Sequence, residues 1–302
     1  MKDLDFLASK ENVPIFSTTG VEEAVYVFLG VPLELTNLGR KGVSEGPNAI
    51  RKALYNLETY DYHLDLDVDD LPIYDAGNVI VPIDLIDALN RVEEAANAIL
   101  TFDKIGVFFG GEHLITLPLV KAETRHLDDI GVIILDAHLD ARDEYPVNSR
   151  FTHATVTRRI AELLGPEKIL VIGVHGASRE EVKWARNSGL KVIYADQLSK
   201  ADTNLEESLN ELKNRPLHLS VDIDVLDPSV APGVSYPEPG GLSLQTLLHI
   251  LKLIIRTGRV IAIDIVELCP QVDPTGITPY VAAKVLTHLL LNHWSVSHVQ
   301  GR

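Results

Sequence analysis

The sequence predicts an α/β fold built on a mostly parallel sheet with helices on both faces. Short apolar, β-branched runs recur along the chain, amphipathic stretches lie between them, and four of the runs end abruptly in clusters of Gly, Asp, Glu and His. Strands buried on both faces read as continuous apolar runs, and their alternation with helices calls for parallel pairing.

In chain order the runs are VYVFLGV (25–31), IGVFF (105–109), IGVIIL (130–135), ILVIGV (169–174), KVIYA (191–195), LHLSVDI (217–223) and VIAIDIV (260–266). Between them Asp84–Leu100, Ala154–Leu164, Leu205–Lys213 and Leu244–Ile255 have the apolar spacing of helices with one buried stripe. No internal repeat, low-complexity segment or Gly/Ser- or Pro-rich linker cuts the chain, so residues 1–302 are expected to form one domain.

Composition narrows the function. The 302 residues carry 27 basic and 43 acidic side chains, a formal net charge of −16, with 46% hydrophobic and 23% charged residues. Nucleic acids and anionic membranes recruit basic patches, so neither is an expected partner. A cationic substrate or bound metal ions would suit the charge, as would plain solubility. The single Cys269 excludes a disulfide within the chain and a Cys-rich metal site, and fits a reducing compartment. MKDLDFLASKENVP at the N-terminus lacks an apolar signal-peptide core, and no uncharged apolar run reaches membrane-spanning length. The expected location is cytoplasmic.

The polar run-ends carry the chemistry. IGVFF leads into Gly110-Gly111-Glu112-His113, IGVIIL into Asp136-Ala137-His138-Leu139-Asp140, LHLSV into Asp222-Ile223-Asp224, and VIAIDIV reaches Glu267. In a parallel sheet all strand carboxyl ends share one edge, where open α/β folds bind ligands, so distant clusters should meet there. An extended backbone would turn Asp136, His138 and Asp140 to one side, and Asp222 and Asp224 likewise. The double glycine before His113 permits close backbone approach. Four carboxylates with two imidazoles are too many for one ion and would partly protonate without cations. Two divalent ions balance them, and O/N donors without thiolate favour Mn²⁺ over Zn²⁺, Co²⁺ or Fe²⁺. The same spacing at Asp61-Tyr62-His63-Leu64-Asp65 follows a helix-like stretch, not an apolar strand, and is read as a solvated loop.

GGEH (110–113), DAHLD (136–140), SVDIDVLDPSVAPGVSYPEPGG (220–241) and DIVE (264–267), in this order, resemble the ureohydrolases, the arginase and agmatinase family. The resemblance runs from about Gly30 to the C-terminus. FTHATVTRR (151–159) and GVPLELTNLGRKGVSEGPNAIR (30–51) are most like archaeal-type agmatinases. It implies a three-layer α/β/α sandwich around a mostly parallel sheet, and two Mn²⁺ per chain. The first ion would be held by His113, Asp136, Asp140 and Asp222, the second by Asp136, His138, Asp222 and Asp224. A hydroxide between them would attack the guanidinium carbon. Glu267 would hold the guanidinium, Asp140 would pass a proton to the departing amine, and His153 would shuttle protons to solvent. The implied reaction is agmatine to putrescine and urea, by a homo-oligomer, trimeric or hexameric. Ser235-Tyr236-Pro237 and Leu139 depart from the family's commoner Gly-Thr-Pro and Thr.

Asp143 and Glu144, after DAHLD, would repel a carboxylate and favour an amine tail, with Arg142 as the counterargument unless one of these acids pairs with it. The resemblance implies aminopropylagmatine, a substrate of some archaeal relatives, as the alternative, ahead of arginine and guanidinobutyrate. A mononuclear deacetylase-like hydrolase and a non-catalytic metal-binding scaffold are the alternative classes. Asp264 is expected to support the site rather than ligate, Asp227 to fix a turn, and His175 to be structural. His288, His293 and His298 are expected on a helix surface or subunit contact.

Overall fold

In the computed structural model, which describes residues 4–198 and 205–298, nine strands hydrogen-bond into one sheet. Residues 1–3, 199–204 and 299–302 of the expected domain lie outside the described residues. The strands are β1 (Ala8–Ser9), β2 (Tyr26–Val31), β3 (Ile73–Val79), β4 (Ile105–Gly110), β5 (Gly131–Leu135), β6 (Ile169–Val174), β7 (Lys191–Tyr194), β8 (Pro216–Asp222) and β9 (Arg259–Val266). Their order is β1-β3-β2-β4-β9-β8-β5-β6-β7, parallel throughout except for the short antiparallel β1 at one edge. Every predicted run is a strand. The sequence reading missed β1 and β3, and β3 (IYDAGNV) escapes because Asp75, Gly77 and Asn78 break its apolar character.

The helices are α1 (Leu4–Leu7), α2 (Gly46–Asn56), α3 (Leu85–Leu100), α4 (Thr116–Thr124), α5 (Val156–Leu164), α6 (Arg179–Ser188), α7 (Ala195–Leu198), α8 (Leu205–Leu212), α9 (Leu244–Thr257) and α10 (Ile277–His298). The four predicted helices are α3, α5, α8 and α9, with ends shifted by one or two residues. Local chemistry sets those ends. The Asp84 carboxylate accepts the Ile86 and Asp87 N–H groups at the start of α3, Ser178 and Glu181 form a capping box on α6, and Ser243 caps α9. The long α10 was not predicted because it is apolar around most of its circumference and so has no single stripe. None of the helices is long and apolar enough to cross a membrane.

Strand alternation splits the core into two layers. Tyr26, Phe28, Val107, Phe109, Ile133 and Leu135 face α2, α8, α9 and α10; Val27, Leu29, Phe108, Val132 and Ile134 face α1, α3, α4, α5 and α6. Each fully buried Val, Leu, Ile or Phe contributes roughly 1.5–3 kcal/mol. This is the α/β/α sandwich expected. The consequence for function lies in the strand order: β4, β9, β8 and β5 are consecutive neighbours, and they are the four strands whose ends carry the polar clusters.

One buried ion pair ties α2 to the irregular β3. Arg51, fully buried, gives Nε–H to Asp75 Oδ2 at 2.7 Å and a second N–H to Oδ1 at 2.8 Å, and its remaining donors reach Asn78 and Gly77. Asp75 also accepts the Phe16 and Gly77 N–H groups. Removing one partner strands a buried charge, which costs about 3–5 kcal/mol. Asp75→Ala is therefore expected to lower the urea-unfolding free energy by that amount, with much of the loss recovered in the Arg51→Met/Asp75→Leu double variant.

Candidate metal centre

At the carboxyl edge of β4, β9, β8 and β5 the clusters converge. His113 opens a short turn into α4, Asp136 follows β5, Asp222 ends β8, Asp224 sits in the next turn, and Glu267 follows β9. His113 Nδ1 lies 3.1 Å from Asp136 Oδ2, 3.4 Å from Asp140 Oδ2 and 3.3 Å from Asp222 Oδ2. His138 Nδ1 lies 3.0 Å from Asp224 Oδ2 and 3.6 Å from Asp136 Oδ1. Two donor groups result, His113–Asp136–Asp140 and Asp136–His138–Asp224, sharing Asp136. Each could hold a metal ion. His113 Nδ1 and Asp136 Oδ2 are buried and lack a well-directed hydrogen bond, so their lone pairs are open for a cation.

The electrostatics point the same way. Burial and the charge of Asp136 push Asp140 up to about 7, and burial with the charges of Asp224 and Asp136 pushes Asp222 well up. Burial raises Glu267 to about 8, although the His113 N–H opposes it. Burial works against the charged forms of His113 and His138, but the surrounding carboxylates outweigh it and raise both. The carboxylates crowd each other unless positive charge comes among them.

The backbone places these groups differently from the extended-strand expectation. β5 stops at Leu135 and β8 at Asp222, so neither motif is a pleated ladder. His138 N–H turns back onto Asp136 Oδ1, and Asp224 N–H onto Asp222 Oδ1. Asp140 and Glu267 have φ of 46° and 62°, a left-handed conformation that costs a non-glycine residue free energy and is held by its surroundings. Gly111 behaves as predicted: a Cβ there would lie 2.0 Å from the Leu33 carbonyl oxygen.

Beside the donors lies a cavity of about 260 Å³, lined in part by His138, Asp140, His153, Tyr236, Glu238 and Glu267. His153 is buried, stacked on Tyr236 at 5.1 Å between ring centroids, with Nδ1 unpaired. In the ion-free chain burial, then the positive charges of His113 and His138, pushes its pKa down to about 4. Glu267 Oε1 accepts the His113 N–H at 2.8 Å, and Oε2 is buried and unpaired.

Asp143 and Glu144 do not line this cavity. Asp143 turns outward to Arg159 at 2.8 Å and to Arg158 and Arg150, and exposed Glu144 accepts the Asn148 N–H. Arg142 pairs with neither acid; it lies 3.5 Å from Glu181 and over the Tyr145 ring. The cavity's outer carboxylate is instead Glu238, which makes no side-chain hydrogen bond or ion pair among the described residues and which sequence reasoning overlooked. Its place in the quoted SYPEPGG segment, beside the site loop, was the available signal.

Asp227 fixes its turn by accepting from Ser229 and Gly240, as predicted. His175 is structural, bound to the Gly173 and Glu238 carbonyls. The Asp61–Asp65 copy is a loop in which Asp61 accepts the His63 and Leu64 N–H groups. Two of the three α10 histidines correct the surface expectation, since His293 is buried against Tyr26 OH at 2.8 Å and His288 Nε2 lies 2.9 Å from the Leu248 carbonyl oxygen, while His298 is exposed as expected. The helix packs against α2, α9 and the sheet, so histidines on those sides point inward.

A mostly parallel α/β/α sheet with a buried His/Asp centre at its carboxyl edge defines a hydrolase of the ureohydrolase type. The Arginase family model matches residues 24–292, and the chain belongs to that family. The agmatinase of Bacillus cereus is 34% identical over 279 residues, 92% of this chain and 94% of the relative. The N(1)-aminopropylagmatine ureohydrolase of Thermococcus kodakarensis is 35% identical over 94% of this chain and 96% of its own length. Among solved structures, the agmatine ureohydrolase of Thermoplasma volcanium superposes with a TM-score of 0.85 at 30% identity, covering 99% of this chain and 100% of that one. The chain is an agmatinase-like hydrolase of carbon–nitrogen bonds in linear amidines, with archaeal proteins among its relatives.

Chelation supplies a test of the centre. In the ion-free chain Asp140 and Glu267 titrate at about 7 and about 8, against about 4 unfolded. The folded chain then binds more protons than the unfolded one across that window, so its stability falls as pH rises from about 4 to about 8. His153, lowered from 6.5 to about 4, opposes this between about 4 and about 6.5 without cancelling it. Calorimetry should therefore give a falling Tm from pH 5 to 8 after chelation, and a much smaller fall at saturating Mn²⁺, whose binding favours deprotonated ligands.

Proposed function

We propose that the chain hydrolyses agmatine to putrescine and urea at a centre of two Mn²⁺ ions. The observation that carries this reading is the pair of donor groups sharing Asp136, with the free Glu267 oxygen at the same cavity floor. His113, Asp136, Asp140 and Asp222 would hold the first ion, and Asp136, His138, Asp222 and Asp224 the second. Carboxylate and imidazole donors without thiolate suit Mn²⁺. When bound, such ions ionise water near neutral pH and so supply a nucleophile strong enough for a guanidinium carbon.

The chain's own groups do the rest. Glu267, held by the His113 N–H through one oxygen, presents the other to the guanidinium N–H groups and fixes the carbon in place by charge-assisted hydrogen bonds. Asp140 takes the proton released as water adds to the carbon and gives it to the alkyl nitrogen, whose bond to that carbon breaks. The alkylamine leaves and urea remains. His153 accepts a proton on its free Nδ1 and exchanges it with solvent.

Two features favour an amine tail. Glu238 leaves a carboxylate free in the cavity, and Arg142, the nearby cation, is engaged by Glu181 and Tyr145. An adjoining cavity of about 400 Å³ shares Arg142, Ser178 and Glu181 with the first and adds Asp143, Glu144 and Glu180. Its four carboxylates outnumber its two arginines, Arg142 and Arg158, which favours aminopropylagmatine as the second reading.

The test is urea release with Mn²⁺ from agmatine, aminopropylagmatine, guanidinobutyrate and arginine, alongside metal content. Agmatine or its aminopropyl derivative should be the best substrate, with two ions per chain. One ion per chain would favour a deacetylase-like centre, and two ions with no urea from any guanidine a scaffold. Asp224→Ala should weaken one ion and cut turnover at least about 100-fold. Glu267→Gln should keep both ions while raising KM and lowering kcat. Glu238→Gln should raise KM for agmatine about tenfold, a loss of about 1.4 kcal/mol, and leave butylguanidine, which lacks the distal charge, unchanged.

A further inference from the structure

Behind His113 runs a line of polar side chains through the apolar layer between the sheet and α4. His113 Nε2 lies 3.1 Å from Ser220 Oγ, Ser220 donates to Asp264 Oδ1 at 2.6 Å, and Thr116 donates to Asp264 Oδ2 at 3.0 Å. His218 Nε2 lies 2.7 Å from Asp264 Oδ2, and its Nδ1 lies 2.5 Å from Glu123 Oε1. Glu123, the innermost member, is 1% exposed, and the other four supporting residues are fully buried.

The fold makes the line from three elements. His218 and Ser220 are two apart on β8 and so share a face, Asp264 sits opposite Ser220 on β9, and α4 brings Thr116 and Glu123 onto that face two turns apart. Three ionisable groups in such a layer are costly to desolvate, and a well-packed apolar trio of similar volume would often stabilise the fold more. Packing therefore does not account for them.

Counting hydrogens gives the line a direction. An imidazole between two carboxylates at these distances donates from both nitrogens, so His218 is a cation held by Glu123 and Asp264. Burial would drive its pKa down, but the charges of those carboxylates hold it up at about 10. Asp264 Oδ1 takes the only hydroxyl hydrogen of Ser220. Ser220 can then only accept from His113, whose Nε2 must carry the hydrogen. The remaining Nδ1 lone pair faces Asp136, Asp140 and Asp222.

We propose that Glu123, His218 and Asp264 are positioning residues that act through Ser220 to lock the tautomer and ring orientation of His113, and so set the affinity of the ion His113 holds but not of the ion His138 holds. This rests on the two-ion reading. A hydrogen-bonded carboxylate behind a ligating histidine fixes its tautomer and raises its basicity, and losing such support costs 10–100-fold in metal affinity.

The test is calorimetric titration of the chelated full-length chain with Mn²⁺. The wild-type chain should take two ions, with His138→Ala identifying which step belongs to the His138 ion. Ser220→Ala, which removes one oxygen, and Asp264→Asn should weaken the other step 10–100-fold and leave the His138 step within about twofold. His218→Gln should weaken the same step and also lower Tm, because it leaves Glu123 without its partner. Wild-type affinity at both steps in folded Ser220→Ala and Asp264→Asn would overturn the proposal. Equal weakening of both steps would also overturn it, since that marks general loosening of the site. A wild-type chain that takes fewer than two ions would instead remove the two-ion reading itself.

Discussion

Mutual repulsion among buried carboxylates is the constraint on which the rest of the centre depends. Asp136, Asp140, Asp222 and Asp224 are all nearly buried and gathered around His113 and His138. Two unit charges 4 Å apart repel by about 4 kcal/mol at an effective dielectric of 20, and a whole domain is stable by only about 5–15 kcal/mol. A sheet edge carrying several such contacts needs either protons or cations. Protons leave carboxyls that are poor ligands; divalent ions turn the same repulsion into binding energy. The pKa pattern follows directly, with Asp140 and Asp222 pushed up while Asp136, flanked by two imidazoles, is held well below the usual carboxylate range despite its burial.

Holding such a set requires a scaffold that does not relax away from it. Four adjacent parallel strands supply it, because their backbone groups are committed to the ladder and their side chains to two apolar layers. The left-handed Asp140 and Glu267 show where the demand exceeds what regular structure offers. Glu267 N–H is bonded to the Gly111 carbonyl at 2.9 Å, and Gly111 itself fits only because it lacks a Cβ next to Leu33. The GGEH and DIVE segments thus brace each other, which explains why the donor of the His113 N–H and the acceptor on Glu267 meet across 154 residues of sequence.

The sheet and the donor residues were legible because both depend on local pattern. Apolar runs identify buried parallel strands, and a carboxylate at the end of such a run has one edge on which to sit. How those residues point was not legible. The i, i+2 rule holds within a strand, but Asp140 and Asp224 lie past the strand ends, where side-chain hydrogen bonds and a positive φ decide direction. Tertiary partners were equally hidden. Asp143 and Glu144 sit next to the motif in sequence, yet Asp143 belongs to the arginines of α5 and the preceding loop and Glu144 to the Asn148 N–H, while Glu238, 98 residues beyond Asp140, reaches the cavity. His293 read as a surface residue because α10 has no polar face against which to judge it.

The same distinction separates the two ends of the cavity. At the floor, Glu267 is buried, raised to about 8 and fixed by a backbone donor, so a cation arriving there meets a group that needs it and does not have to be ordered on binding. Glu238 is half-buried and makes no side-chain hydrogen bond among the described residues, so its attraction to a distal ammonium would be partly screened by water. On the proposed reading, alignment of the guanidinium therefore falls to the buried Glu267, and tail selection to Glu238. Arg142, Ser178 and Glu181 form a wall common to this cavity and the adjoining one, so that division would let substrates of different tail length share one reacting geometry. On that reading, a change in tail preference would fall on Glu238 and the wall of Arg142, Ser178 and Glu181, leaving the ligands, Glu267 and the buried line behind His113 untouched.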